Sequence, residues 1–133
     1  MKTILAYDKQ ADMGYVTLQR KRFPRIVSTE DLNEEAPVMV DVNNKDAIHG
    51  FELTGNDAQK LERWLHKQKV LFKKEDVYCL RVTDDEIQSK ESMLGVEFLF
   101  AGKDYTNFAG INIIDRNKYS SSFLDRFTIG AVR

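Results

Sequence analysis

The chain has one cysteine and two histidines among its 133 residues, and these shortages argue against several kinds of site. Cys79 alone cannot form an internal disulfide, which favours a reducing compartment. Neither His49 nor His66 has a partner ligand at the spacing of a zinc motif. Cys79 lies in the middle of a predicted strand without a nearby His or Cys, which is typical of a buried thiol rather than a nucleophile.

Long apolar runs and glycine-rich loops are also missing. The only early apolar run, residues 4–7, is too short for a signal-peptide core or a membrane span. The seven glycines are isolated, so they form neither a phosphate loop nor a dinucleotide fingerprint. We therefore expect a cytoplasmic protein with no cofactor and no membrane contact. The sequence gives no positive evidence for a catalytic site, although a cryptic enzyme stays open as a third possibility.

One metal site stays open as an alternative. Asp41, His49 and Glu52 lie on a single predicted hairpin, and all three side chains are possible metal ligands. Strand alternation places His49 on the face of Phe51 and Leu53, and Asp41 on the opposite face. This arrangement disfavours the site, so we predict no metal.

Alternating apolar residues predict strands in both halves of the chain, and a three- and four-residue spacing predicts one amphipathic helix. The helix covers about residues 57–69, with Asn56 as its N-cap. The predicted strands are residues 3–7, 13–19, 38–42, 47–53, 77–83, 94–100 and 111–114.

These elements predict one α+β domain over residues 1–133, built mainly from antiparallel hairpins with the helix packed on the sheet. We expect roughly six to eight strands from the alternating segments. A hairpin pair in residues 1–55 precedes the helix at 56–70, and further strands follow in 77–133. The two strand-rich parts either share one sheet or form two small sheets, and no convincing sequence repeat links them.

Charge is distributed in blocks although the net charge is only −1. Residues 20–25 hold four bases and no acid, residues 28–55 hold seven acids and one base, and residues 56–74 hold six bases and two acids. Such blocks either pair within the fold or form binding faces.

Hairpin proteins leave sheet edges that a partner strand or a second copy can complete, so we predict a protein–protein interaction module. The expected partner is a second copy of the chain or another small protein, bound at a sheet edge or at Trp64, which lies at the margin of the helix stripe. Nucleic-acid binding through the basic helix and residues 20–25 is the alternative. The candidate interaction residues are Trp64, Arg63, Lys67, Lys60, Arg20 and Arg22.

Residues 4–53 carry a series of short motifs in a familiar order. They read Tyr7-Asp8-x-x-Ala11-Asp12-x-x-Tyr15-Val16-x-Leu18, then Thr29-Glu30 and Leu32, then Val38-x-Val40-Asp41-Val42-Asn43, and finally Ile48-x-Gly50-Phe51-Glu52-Leu53. This part of the chain resembles the bacterial family called domain of unknown function 2283.

The resemblance implies a small sheet of β-hairpins in a compact bacterial or phage protein, without an established activity. Genes of this family sometimes lie beside small toxin-like genes, and the resemblance therefore implies a partner-binding role. Residues 20–25 are more basic than the family's usual turn, and the chain beyond about residue 56 lies outside the family's short domain.

Overall fold

The computed structural model describes residues 2–20 and 24–130, which fold into two antiparallel sheets of five strands each. In the first sheet the spatial order is β1-β2-β5-β4-β3, with strands β1 (Leu5–Asp8), β2 (Met13–Thr17), β3 (Ile26–Asp31), β4 (Met39–Asn43) and β5 (Ile48–Thr54). In the second sheet it is β6-β7-β10-β9-β8, with β6 (Phe72–Lys74), β7 (Val77–Arg81), β8 (Ser89–Met93), β9 (Val96–Phe100) and β10 (Phe108–Ile113). The predicted α+β, mainly antiparallel fold is confirmed, with ten strands in place of the expected six to eight.

The two sheets repeat one topology. In each, the fifth strand of the unit inserts at the centre and a short helix follows it: α1 (Gly55–Gln59) after β5, and α2 (Ser121–Asp125) after β10. Both central strands also carry a bulge at their second residue. Ile48 and Gly50 pair with neighbouring residues of β4, and Phe108 and Gly110 pair with neighbouring residues of β9. The chain therefore contains the same five-strand unit twice.

The inner faces of the two sheets pack against each other around one hydrophobic core. Phe51 of the first sheet is fully buried, and its ring lies 4.9 Å from that of Phe98 and 5.7 Å from that of Phe108. Val16 and Val40 pair with Phe51 from either side and are equally buried. Strand alternation therefore puts Tyr15 and Asp41, their neighbours in sequence, on the outer face of the first sheet.

Each unit supplies a side chain that completes the central strand of the other. The backbone N–H of Phe108, the first residue of β10, donates to Oδ1 of Asp57 in α1 at 3.0 Å. The N–H of Ile48, the first residue of β5, donates to the hydroxyl of Tyr119 at 3.0 Å. Tyr119 in turn donates to the carbonyl of Leu94 at 2.8 Å. Because a buried backbone N–H without a partner is costly, these reciprocal bonds tie the two sheets together.

The predicted helix over 57–69 is in the right segment, but its bounds are wrong. The α-helix covers only Gly55–Gln59, and a 3₁₀ helix at Glu62–Trp64 follows it. Thr54, rather than Asn56, occupies the N-cap position. The amide of Trp64 bonds to the carbonyl three residues before it, at 2.9 Å, as in a 3₁₀ turn.

The helical segment ends early because its apolar stripe ends. Ala58 and Leu61 are fully buried, whereas residues 66–69 are all polar and exposed. Leu71 is then completely buried and forms a parallel bridge with Thr128. Residues 67–70 carry the chain to this bridge without helical structure.

Three strands, β3, β6 and β8, are absent from the sequence prediction. All three lie at the edge of a sheet, and none contains a residue that is fully buried. Edge strands whose two faces are both exposed to solvent lack the apolar alternation on which strand prediction relies. Within residues 2–20 and 24–130, no helix has both the length and the apolar character required to span a membrane.

Candidate functional site

A chain of hydrogen bonds crosses the outer face of the first sheet. The hydroxyl of Tyr15 on β2 donates to Oδ2 of Asp41 on β4 at 2.6 Å, and the hydroxyl of Thr29 on β3 donates to Oδ1 of the same carboxylate at 2.6 Å. To reach Asp41, the Tyr15 side chain passes over Gly50 of β5. A Cβ at position 50 would lie only 2.5 Å from Cε2 of Tyr15. A glycine is therefore required for this crossing.

Tyr15 acts here as a fixed donor. Burial, followed by the hydrogen bond and the negative charge of Asp41, raises the pKa of the Tyr15 hydroxyl far above its ordinary value of 10.0. The phenol stays protonated at neutral pH and holds the carboxylate in place. This environment does not favour a tyrosinate nucleophile or base.

His49 lies on the same outer face, contrary to the sequence prediction. It is the extra residue of the β5 bulge between Ile48 and Gly50, and a bulge reverses the alternation of side chains. The face of Phe51 is therefore not the face of His49. The adjacent Gly50 is the one local sign of a bulge at this position.

The imidazole of His49 is buried and incompletely hydrogen-bonded. The residue is only 5% exposed, and within residues 2–20 and 24–130 its Nδ1 atom has no hydrogen-bond partner. Burial lowers the pKa of His49 below its ordinary value of 6.5, and the charge of Asp41 partly opposes that shift. The ring is therefore neutral at neutral pH. A buried polar atom without a partner costs about 1–3 kcal/mol, so this position calls for a partner.

Asp41, His49 and Glu52 share the outer face after all, but the shared face gives no metal centre. Tyr15 and Thr29 already occupy both oxygens of Asp41. In the described part of the chain, no three His, Cys, Asp or Glu side chains are grouped so as to hold a metal ion.

An open groove of about 1040 Å³ covers this part of the sheet. Its walls carry three bases, Lys2, Arg20 and Arg126, against one carboxylate, Asp41. The remaining lining residues are mostly apolar or hydroxyl-bearing: Thr3, Ile4, Leu5, Ala6, Tyr15, Thr17, Ile26, His49 and Phe123. The groove has the size of a small-molecule site and a positive rim.

The second sheet offers a comparison, because it has the same backbone with different side chains. In order, the register matches Tyr15, Asp41 and His49 with Cys79, Leu99 and Ala109. Leu99, Ala101 and Ala109 form a small apolar cluster, against which Ile87 packs. The fold is therefore compatible with an apolar, covered face at these positions, and the polar face of the first sheet is not imposed by the backbone.

Cys79 has the environment of a structural thiol. It is 3% exposed, and its Sγ donates to the carbonyl of Val77 at 3.5 Å. Burial raises the pKa of the Cys79 thiol above 9.0, although Arg81 and Lys74 oppose that shift. The thiolate is therefore disfavoured at neutral pH.

Strand β3 presents an open edge of the first sheet. Five of its six residues are exposed, including Ile26 at 41% and Val27 at 57%. The amide of Leu32 donates to the carbonyl of Val38 at 3.0 Å, which fixes the hydrogen-bonding phase of the β3–β4 pair. By the alternation of an antiparallel ladder, the backbone N–H and C=O groups of Thr29 and Asp31 point away from β4.

The residues predicted for interaction do not form one surface. Arg63 and Trp64 line a small groove of about 290 Å³, whereas Arg20 lines the large groove over the first sheet. Lys60 donates to Asp57 at 3.1 Å and to the carbonyl of Phe108 at 2.9 Å. Its ammonium group is therefore engaged within the fold.

Trp64 is half-buried and packs against the hydrophobic core. The ammonium group of Lys67 lies 4.8 Å from the centre of its ring. The indole Nε1 is buried and has no hydrogen-bond partner within residues 2–20 and 24–130. Arg22 lies outside the described residues.

Sequence reasoning missed most of the groove. Tyr15, Thr29 and Gly50 were seen only as strand residues or as parts of a motif, and Lys2 and Arg126 were not singled out. One available signal was Asp41, a carboxylate between two buried valines in an alternating strand. Its outward position, together with the nearby glycine, marks a face on which a side chain crosses the backbone closely.

The chain is similar to a protein of Bacillus subtilis. The Bacillus subtilis (strain 168) protein named "Uncharacterized protein YuzE" is 30% identical over 129 residues, which is 96% of this chain and 98% of that protein. No family model matches the chain. No solved structure matches it.

Proposed function

The chain belongs to the same family as YuzE of Bacillus subtilis, and on this premise we propose that it is a protein–protein interaction module that pairs with a second copy of itself through strand β3. The open edge of β3, with Ile26 and Val27 exposed, carries the proposal. An edge strand with unpaired backbone groups and exposed β-branched residues is a template for another strand. The proposal also keeps the prediction of a cytoplasmic protein, which the single buried cysteine supports.

Charge favours a register centred on Ser28 over one centred on Glu30. In an antiparallel pair centred on Ser28, Val27 of each copy lies against Thr29 of the other, and Arg25 comes near Asp31 of the other copy. A pair centred on Glu30 would instead place like charges opposite each other, which destabilises a sheet. In the favoured register the twofold symmetry therefore forms the Arg25–Asp31 contact twice, once from each copy.

The pairing would extend each first sheet into a continuous ten-strand sheet. The backbone groups of Thr29 and Asp31 that point away from β4 would form the new ladder. The β3 bulge between Ile26 and Ser28 limits the regular ladder to a few residues. We therefore expect a weak, concentration-dependent dimer.

Analytical ultracentrifugation of the full chain at several concentrations tests the proposal. The wild type is expected to dimerise, and Val27→Lys is expected to remain monomeric, because lysine on an edge strand opposes strand addition. Ile114→Lys is the matched control, since Ile114 is a 51% exposed apolar residue outside β3. A wild-type monomer at all concentrations, or equal loss of dimer in both variants, would contradict the proposal.

A charge exchange tests the register. Arg25→Asp alone and Asp31→Arg alone should each weaken the dimer, and the double exchange should restore it. The single effects should shrink at high salt, because exposed charge pairs are screened. Failure of the double variant to recover would reject the Ser28-centred register.

Two further predictions stay open beside this proposal. Nucleic-acid binding through the basic segment would have to proceed without Lys60, which is held by Asp57 and the Phe108 carbonyl. Such binding would be recognised by an affinity for RNA or DNA that falls steeply as the salt concentration rises. Membership of the domain of unknown function 2283 also remains a proposal, which rests on the motifs of residues 4–53.

A further inference from the structure

We propose that the groove over the outer face of the first sheet binds a small organic anion. The carboxylate or phosphate group of the ligand would bind the basic side chains of Lys2, Arg20 and Arg126. The rest of the ligand would lie along the apolar walls and contact His49. This inference goes beyond self-association. The groove lies on a face of the sheet and the proposed dimer forms at an edge, with Ile26 common to both.

The dimensions of the groove suit a small molecule. Its volume, about 1040 Å³, is at the upper end of the range for ligand sites. Ile26, Phe123 and the chain entering β1 give it apolar walls, while Tyr15, Asp41 and His49 contribute its polar groups. Few convergent polar groups within apolar walls are the usual make-up of such a site.

The charge of the groove selects an anion. Lys2, Arg20 and Arg126 line it, and no ion pair involves any of them within residues 2–20 and 24–130. The one acidic lining residue, Asp41, has both oxygens engaged by hydroxyl donors. Guanidinium groups bind carboxylates and phosphates through paired hydrogen bonds, so two arginines at the rim fit this class of ligand.

His49 provides the second, independent observation. It is 95% buried and lines the groove, and its Nδ1 has no partner in the described part of the chain. Buried polar atoms are nearly always hydrogen-bonded in native proteins, and an exception indicates a missing ligand or water. Nδ1 itself is enclosed, so a bound anion would contact the edge of the ring that lines the groove, and a turn of the ring would bring Nδ1 to a polar atom of the anion.

Comparison with the second sheet indicates that the fold alone does not impose the polar residues of the groove. At the bulge position it has Ala109, and at the position of Asp41 it has Leu99, both nearly or fully buried beneath Ile87. At these positions the second sheet has a small apolar cluster in place of the polar groups of the first. The N-terminal unit therefore holds a polar, open face at a place where its counterpart is apolar and closed.

Nuclear magnetic resonance of the imidazole nitrogens tests the proposal in the full chain. Benzoate and phenyl phosphate serve as anionic probes, and benzamide serves as the neutral control of similar shape. At least one anion is expected to shift the His49 ring signals to saturation, with benzamide roughly tenfold weaker or inactive. The preference between the two anions distinguishes a carboxylate from a phosphate ligand. The exposed His66 gives an internal reference that should not move.

Variants connect the binding to the rim. Arg20→Gln and Arg126→Gln should each weaken the anion at least about threefold, because each removes a charge-assisted contact. Lys103→Gln, an exposed base of the second unit, should leave the affinity unchanged. The proposal is overturned if neither anion saturates the His49 shift, if benzamide binds as well as the anions, or if the arginine variants bind like the wild type.

Discussion

The ring of Tyr15 lies directly over the backbone of Gly50, and this contact lets a side chain of β2 reach a carboxylate of β4 across the strand between them. Three strands are thereby joined on the outer face as well as by their backbone ladders. The arrangement depends on the missing side chain at position 50, on the hydroxyl of Tyr15 and on Asp41. Each dependence can be tested separately.

Gly50→Ala is expected to lower the free energy of unfolding by about 1–3 kcal/mol, as other overpacking substitutions do. The new Cβ would lie 2.5–2.6 Å from the far end of the Tyr15 ring, so the ring must move and release Asp41. Urea denaturation measures the loss. In a Tyr15→Ala background the same substitution should be close to neutral, because its steric opponent is gone. An equal cost in both backgrounds would show that the ring is not the cause.

Tyr15→Phe removes only the hydroxyl and should cost about 1.5–3 kcal/mol, the range for a hydrogen bond to a charged group. Tyr7→Phe is the matched control. Its hydroxyl donates to Asp12 at 3.1 Å beside the first hairpin turn, a longer bond than the 2.6 Å bond of Tyr15, so we expect a clearly smaller loss. Thermal and urea denaturation of both variants give the comparison. Similar losses in the two variants would mean that the Tyr15–Asp41 hydrogen bond contributes no more to the free energy of unfolding than the Tyr7–Asp12 bond.

The fold class was predictable because the buried strands alternate clearly. Val38, Val40 and Val42 lie on the inner face as their spacing indicates, and all three are buried. The duplication was not predictable, since the two units share backbone pairing rather than side chains. Phe51 and Ile111 are equivalent in register, for example, yet differ in size and shape. The edge strand β3 escaped prediction because it buries no face.

The candidate site was only partly predictable, and the bulge explains most of the failure. A period-2 pattern places His49 beside Phe51 and Leu53, and one extra residue transfers it to the opposite face. The adjacent Gly50 is the one local sign of the bulge, and a single glycine does not fix its position. The rim is non-local in a further way, because Arg126 follows α2 and reaches the groove only through the packing of the second unit against the first.

Asp57→Ala is expected to lower the free energy of unfolding by about 2–3 kcal/mol, because it leaves the buried amide of Phe108 without an acceptor and Lys60 without its counter-ion. Lys60→Met should cost less, since that residue is partly exposed, and the double variant should cost less than the sum. Lys67→Met is the control, being an exposed base of the same segment. Additive losses in urea denaturation would contradict a coupled Asp57–Lys60–Phe108 unit.

His49 should make stability dependent on pH just below the ordinary histidine pKa of 6.5. Burial lowers the pKa of His49 in the folded chain below its ordinary value of 6.5. At a pH between the folded and the unfolded pKa, the unfolded chain therefore binds more protons than the folded one. The free energy of unfolding should then fall as the pH is lowered from about 7 through that window, and level off below the pKa of the folded state. Denaturation in urea at closely spaced pH values measures this slope.

The histidine variants identify the group responsible for that slope. His49→Gln removes the titrating ring and should flatten the dependence, whereas His66→Gln, at an exposed position, should leave it intact. Asp41 faces His49 and opposes the shift, and Lys2, Arg20 and Arg126 line the same groove. A slope that survives in His49→Gln would assign the proton uptake to another group and contradict a neutral, buried imidazole at this position.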